Sequence, residues 1–122
     1  MNVVDSSAWI SYFTDDRNAG VFASPIEDVE NLLVPSITLT EVFKYMSRHA
    51  DEAIALQAIA HMKTGMTVPL DGSLALDAAV FGLEFNLPLA DSVIYATARK
   101  FEALVWTQDS DFKDLPAVEY HD

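Results

Sequence analysis

Carboxylates are the side chains in this sequence with the clearest chemistry, and four of them fall where a sheet would gather them. Asp5 directly follows the short run Asn2-Val3-Val4, which ends in two β-branched residues, and Asp109 lies just beyond an apolar run that finishes at Thr107. Asp91 sits at the start of a helical stretch after Leu87-Pro88-Leu89. Glu41 follows Pro35-Ser36-Ile37-Thr38-Leu39-Thr40, early in the helix after a second strand. In open α/β sheets the ligand crevice lies outside the carboxyl ends of the strands, so all four acids reach the same end of the sheet. Crowded carboxylates repel unless they share protons or hold cations. Oxygen-only ligands suit Mg²⁺ or Mn²⁺, and such ions activate a water and stabilise both oxygens of an in-line phosphoryl displacement.

Each acid also has a plainer reading. Asp91 serves equally well as a helix cap. Glu41 points away from the apolar face of its helix, as solvated surface would. Asp109 and Asp111 suit an ordinary turn. Asp5 is the strongest single case, because it follows a strand expected to be buried. The remaining acids, among them Asp15, Asp16, Glu27, Asp28 and Glu30, read as solvated charge. Ser6 and Ser7 read as helix caps, and His49, His61 and His121 show neither metal-binding spacing nor a serine nucleophile beside them. Thr107 reads either as a hydroxyl that orients Asp109 or as a plain strand residue. Trp9 and Trp106 flank the acids as core or partner surface.

The elements that must position these residues alternate from end to end. Strands are expected at Asn2–Val4, Leu32–Val34, Met66–Leu70, Ala103–Thr107 and Val118–Tyr120. A short helix is predicted over Ser7–Phe13, a loop over Asp15–Gly20, and a helix start at Ser24-Pro25-Ile26-Glu27, which matches a capping box with Pro at its first turn. Leu39, Val42, Phe43 and Met46 share one helical face. A helix over Asp51–Lys63 carries Ala53, Leu56 and Ala60 at the same spacing. After Asp71-Gly72-Ser73 another helix presents Leu76, Ala79, Val80 and Leu83, with Asn86 and Pro88 as its stop. A last helix runs over Ala90–Phe101. Short strands between helices of this length predict βαβ units around a parallel sheet, hence one α/β domain over residues 1–122.

Composition narrows the function. Nineteen Asp and Glu against seven Lys and Arg give a formal charge of −12. That excludes a basic-patch binder of nucleic acid, but not an enzyme reaching a phosphodiester through carboxylate-held metal. It favours a basic protein partner. Cysteine is absent, so there is no disulfide framework, thiolate nucleophile or Cys-ligated zinc. No signal peptide is read at Met1-Asn2-Val3-Val4-Asp5, and no apolar run approaches the ~18 residues of a membrane span. A soluble cytoplasmic protein with no membrane association is expected.

Four segments, taken in order, resemble the PIN-domain family, and within it the VapC-like toxins of bacterial and archaeal toxin–antitoxin pairs. They are Val3-Val4-Asp5-Ser6-Ser7-Ala8-Trp9-Ile10, Val34-Pro35-Ser36-Ile37-Thr38-Leu39-Thr40-Glu41-Val42, Leu89-Ala90-Asp91-Ser92-Val93-Ile94-Tyr95-Ala96-Thr97-Ala98, and Thr107-Gln108-Asp109-Ser110-Asp111-Phe112. The resemblance implies a parallel sheet flanked by helices, with an acidic pocket that holds divalent metal (Mg²⁺ or Mn²⁺) and cuts RNA. It makes Asp5, Glu41, Asp91 and Asp109 the metal-binding and catalytic carboxylates, Asp5 and Asp91 foremost, with Asp111 as a fifth member and Ser6 and Thr107 accessory. It also overrides the periodicity argument against Glu41. Ser92 stands where alanine is common in the family.

The partner the resemblance implies is a basic antitoxin whose C-terminal segment wraps the toxin and blocks its site. Trp9, Tyr12 and Phe13 are either its apolar anchors or core residues. A homodimer is the expected assembly. Two other acidic α/β classes fit poorly: a receiver domain wants paired acids after the first strand, and a dehalogenase-like phosphatase wants Asp-x-Asp, where this chain has Ser6 and Ser7. The remaining alternative is a catalytically silent PIN-like scaffold that binds protein or RNA.

Overall fold

The computed structural model describes residues 1–122 and consists of one five-stranded sheet covered by helices on both faces. In chain order the elements are β1 (Asn2–Val4), α1 (Ser6–Thr14), α2 (Ala19–Glu27), β2 (Leu32–Pro35), α3 (Ser36–His49), α4 (Glu52–Met62) and β3 (Met66–Val68). These are followed by α5 (Gly72–Phe85), α6 (Leu89–Lys100), β4 (Leu104–Thr107) and β5 (Val118–Tyr120). Every strand pair is parallel, and the order across the sheet is β3-β2-β1-β4-β5. The chain steps outward from β1 to β3, then crosses back to lay β4 on the other edge of β1. Val3 consequently pairs with both Leu33 and Val105. Strand order reverses between β1 and β4, and that switch point is where open α/β sheets place their ligand crevice.

The strands are apolar on both sides, as a doubly covered parallel sheet requires. Val3 and Leu33 face a core with Leu74 and Ala78 of α5 and Val93, Ile94, Tyr95, Ala96 and Ala98 of α6. Val4, Leu32 and Val34 face the opposite core, with Trp9 of α1, Phe22 and Ile26 of α2, Val42 and Met46 of α3, and Ala55, Ala58 and Met62 of α4. The predicted α/β class and its parallel sheet therefore stand, and each predicted strand is present to within two residues of its bounds. No single helix is long and apolar enough to cross a membrane.

Three sequence expectations change. The helix expected to begin at Ser24 begins at Ala19 instead, taking the end of the expected loop and carrying Pro25 inside it. Proline forfeits one hydrogen bond near the end of a short helix, and in return Phe22, Pro25 and Ile26 are all buried on one face. In α4 the buried stripe is Ala55, Ala58 and Met62, not Ala53, Leu56 and Ala60. In α5 it is Leu74 and Ala78, while Leu76, Val80 and Leu83 are 72%, 61% and 88% exposed. Both helices are apolar nearly all round, so more than one stripe carries the helical period. The inward one is selected by the caps at Asp51 and Asp71, which accept the N–H groups of Ile54 and Leu74, and by the neighbouring helix.

Candidate metal centre at the carboxyl edge of the sheet

Asp5 sits at the end of β1 and is 2% exposed. It is the N-cap of α1: its Oδ1 accepts the N–H of Ala8 at 2.9 Å and the hydroxyl of Ser7 at 2.8 Å. Its Oδ2 accepts the hydroxyl of Thr107, at the end of β4, at 2.6 Å. Burial outweighs these bonds and pushes the carboxyl up to about 6, with the charge of Asp109 adding to the rise. The hydroxyl of Thr107 also accepts the N–H of Asp109 at 2.9 Å, so one side chain at the switch point holds a carboxylate on β1 and the backbone after β4. The hydroxyl of Ser7 accepts the N–H of Gln108 at 3.3 Å, a second tie across the same gap.

Asp91 enters from the first turn of α6, where Pro88 ends the preceding loop. Half-buried, it is pushed up to about 7, first by desolvation and then by Asp109, Asp5, Glu41 and Asp111 in that order. All the acids singled out from the sequence thus act on this one carboxyl. Asp109 caps a short 3-10 turn over Ser110–Phe112, accepting the N–H of Asp111 at 2.9 Å. Glu41, on α3, accepts the hydroxyl of Ser6 at 2.6 Å, which draws it toward α1 rather than into solvent.

No Lys or Arg neutralises this group: the ion pair in the chain joins Arg17 to Asp122. Carboxylate oxygens of Asp91, Asp109 and Asp111 lie within 4.8 Å of one another. A cation holding oxygens at 2.0–2.1 Å separates opposite ligands by about 4.2 Å, so little movement brings all three onto one ion. The donor set is oxygen throughout, which suits Mg²⁺ or Mn²⁺, and Asp91 is raised by burial first and then by the negative charge of its four neighbours. The residues fit such an ion.

Asp5, Glu41, Asp91 and Asp109 converge from four separate segments, yet the tightest group includes Asp111, which the sequence makes accessory. Asp5 lies deeper, with both oxygens engaged. Ser6 and Ser7 do not cap α1; Asp5 does, and the two hydroxyls donate to Glu41 and Asp5 instead. Ser7 is the residue that sequence reading passes over, since a serine two positions after a capping aspartate looks the same whether or not it bonds back. Asp16, read as solvated charge, accepts the hydroxyl of Ser11 and, at 3.0 Å, the N–H of Asn18. The amide of Asn18 donates to Gln108 at 3.0 Å, beside the site. Trp9 is fully buried, so the core reading holds for it, whereas Tyr12 and Phe13 are half-buried with their rings edge-on to His61.

A family model described as PIN domain matches residues 3–118. No curated protein matches the chain by sequence. Among solved structures, Mycobacterium tuberculosis VapC20, a Sarcin-Ricin loop cleaving toxin, superposes with a TM-score of 0.82 at 17% identity, covering 98% of each chain. A toxin–antitoxin complex from Klebsiella pneumoniae gives 0.81 at 22% identity, over 98% of this chain and 96% of that one. DNA-bound VapBC from Salmonella typhimurium gives 0.75 at 14% identity, over 99% and 96%. At these identities the likeness is one of fold.

Proposed function

The chain belongs to the PIN domain family, and on that premise we propose that it is a divalent-metal-dependent endoribonuclease, the toxin of a toxin–antitoxin pair, acting in the cytoplasm as one unit over residues 1–122. The observation that carries this reading is the acidic cluster at the β1/β4 switch point, where Asp91 is crowded by four other carboxylates and no cationic side chain relieves them. Asp91, Asp109 and Asp111 would hold the ion, with Asp5 and Glu41 completing the set. When bound, Mg²⁺ or Mn²⁺ supplies Lewis-acid activation of the attacking water and stabilisation of the leaving oxygen.

The chain's own residues do the positioning. Thr107 and Ser7 fix the rotamer of Asp5, Ser6 holds Glu41 toward α1, and the Asp109 cap orients the turn that presents Asp111. In-line displacement with departure of the 3′ oxygen leaves a 5′-phosphate and a 3′-hydroxyl. The −12 charge supports a basic antitoxin that occupies the site with Arg or Lys side chains. The exposed apolar face of α5, continued by Leu89 at 85% exposure, supports a homodimer. Leu76, Val80 and Leu83 follow one another at i, i+4 and i+7 along one side of α5, an exposed apolar stripe of the kind that marks an interaction site and suits a seam between two copies.

The test is incubation of structured RNAs with the purified chain in Mg²⁺, in Mn²⁺ and in excess chelator. Cleavage in metal that stops in chelator is expected. Equal cleavage in chelator would remove the metal role, and no cleavage of any RNA would leave the scaffold alternative.

A further inference from the structure

We propose that the outer stripe of α3 is a binding track for single-stranded RNA leading into the acidic site, with Lys44 and Arg48 on successive phosphates and the Tyr45–His49 pair stacked on a base. The proposal rests on the ribonuclease reading above. Glu41, Lys44, Tyr45, Arg48 and His49 line one shallow cleft of about 200 Å³. Their spacing from Glu41, three, four, seven and eight residues, puts them on a single helical face. Glu41 is shared with the site, so the stripe starts where the carboxylates are and runs about 12 Å away from them.

Three features select nucleic acid as the occupant. A chain of charge −12 repels a polyanion, so RNA needs a local route of cations. Lys44 and Arg48 are two of only seven Lys and Arg, both exposed, and neither pairs with any of the nineteen carboxylates. One helical turn, about 6 Å of rise, separates them, comparable to adjacent phosphates of an extended strand. The rings of Tyr45 and His49 lie 4.2 Å apart with 33° between their planes and are open to solvent. An acidic protein segment would use the two cations, but only a nucleic-acid strand supplies a phosphate for each of them and, between them, an unpaired base to stack on such rings.

The test is steady-state cleavage of a fluorescent single-stranded RNA oligomer in Mn²⁺ by the full chain, across a salt series. Lys44→Gln with Arg48→Gln is expected to raise KM about tenfold and to make its log–log salt dependence shallower by about 1.4, the slope lost with two single-strand phosphate contacts. Tyr45→Ala is expected to raise KM several-fold with the salt slope unchanged. Arg99→Gln with Lys100→Gln removes the same charge at the far end of α6 and is expected to change neither quantity. An unchanged KM in the α3 double variant, or an equal rise in the α6 one, overturns the track. Absence of RNA cleavage by the wild-type chain would instead be the failure of the ribonuclease reading. Fluorescence anisotropy with the same oligomer then decides the track: binding lost in the α3 double variant upholds it, while binding that survives, or wild-type protein that does not bind, overturns it. A Glu-rich peptide that binds through Lys44 and Arg48 where RNA does not would overturn it in favour of an acidic protein segment.

Discussion

Replacing Asp91 by Asn should make the metal-free protein more stable while destroying its site. The carboxyl is pushed from 3.8 to about 7 by burial and by Asp109, Asp5, Glu41 and Asp111. The folded chain therefore binds this proton more tightly than the unfolded chain does. That contribution to stability is complete below about pH 4 and is lost as the pH rises through about 7. The full shift corresponds to about 4 kcal/mol, and because the side chain is only half-buried, solvent screening reduces it to roughly 2 kcal/mol. Asp5, raised to about 6, acts with the same sign between about pH 4 and pH 6. Asn cannot ionise. In excess chelator at about pH 7.5 the variant should exceed wild type by roughly 2 kcal/mol, about 6–8 °C in Tm for a domain of this size. Near pH 5, where the wild-type carboxyl is already protonated, the gap should close to within about 1 kcal/mol. Thermal melts by circular dichroism at both pH values provide the measurement. Saturating Mg²⁺ should raise the wild-type midpoint, by about 2.7 kcal/mol at a hundred times Kd, and leave the variant nearly unmoved. A wild-type Tm that stays flat from pH 5 to pH 7.5, or a variant no more stable than wild type at the higher value, would refute the electrostatic account of the site.

Other changes probe separate parts of the argument. Thr107→Val removes the bond to Asp5 Oδ2 and should cost about 1–3 kcal/mol, more above pH 6 than below, because the hydroxyl favours the ionised carboxyl; denaturant melts at two pH values would detect the difference or its absence. Gly82→Ala would set a Cβ 2.7 Å from Ser92 Oγ, whose hydroxyl donates to the carbonyl of Pro88 at 2.9 Å. It should destabilise by about 1–2 kcal/mol despite the better helix propensity, and adding Ser92→Ala should restore most of that; a double variant no better than the single one would show that the clash is elsewhere. Leu83→Glu should convert a dimer to monomer in light scattering without lowering the monomer's Tm, and a wild-type chain that is already monomeric would leave the α5 face without its second copy. Asp15→Asn and Glu30→Gln should change neither turnover nor Tm, and a large loss in either would move the site boundary.

What the sequence makes legible depends on how many readings a pattern admits. Asn2–Val4 admits only one, because a run ending in two β-branched residues and stopped by Asp-Ser-Ser is too short for a helix, and this fixes both β1 and the place of Asp5. Asn86 and Pro88 end α5 unambiguously, since the left-handed residue at φ 55° and the proline that follows both refuse to continue it. By contrast, α5 offers apolar residues on every side, and no periodicity argument separates the buried Leu74 and Ala78 from the exposed Leu76, Val80 and Leu83. The in-chain trace of α2 is likewise hidden, because Pro25 looks like a helix start when the stabilising burial of Phe22 and Ile26 is not yet known. In the acidic cluster, the placement of Asp5 and Asp109 beyond strand ends was readable from position alone. The standing of Asp111 was not, because it follows from how the Asp109 cap turns the chain within two residues.

The placement of β4 governs when the acidic cluster can form. Thr107 lies 102 residues from the Asp5 carboxylate it holds, and Asp109 and Asp111 come after it. Every acid of the site except Asp5, Glu41 and Asp91 is therefore synthesised in the last stretch of the chain, and β1, the central strand, keeps one edge unpaired until β4 arrives. At ordinary translation rates of about 5–20 residues per second, the nascent chain spends roughly 6–25 s without a complete cluster. Shortening the chain before β4 would not yield a weakened cluster. It would yield a folding intermediate with an open sheet edge and three carboxylates with nothing to close around.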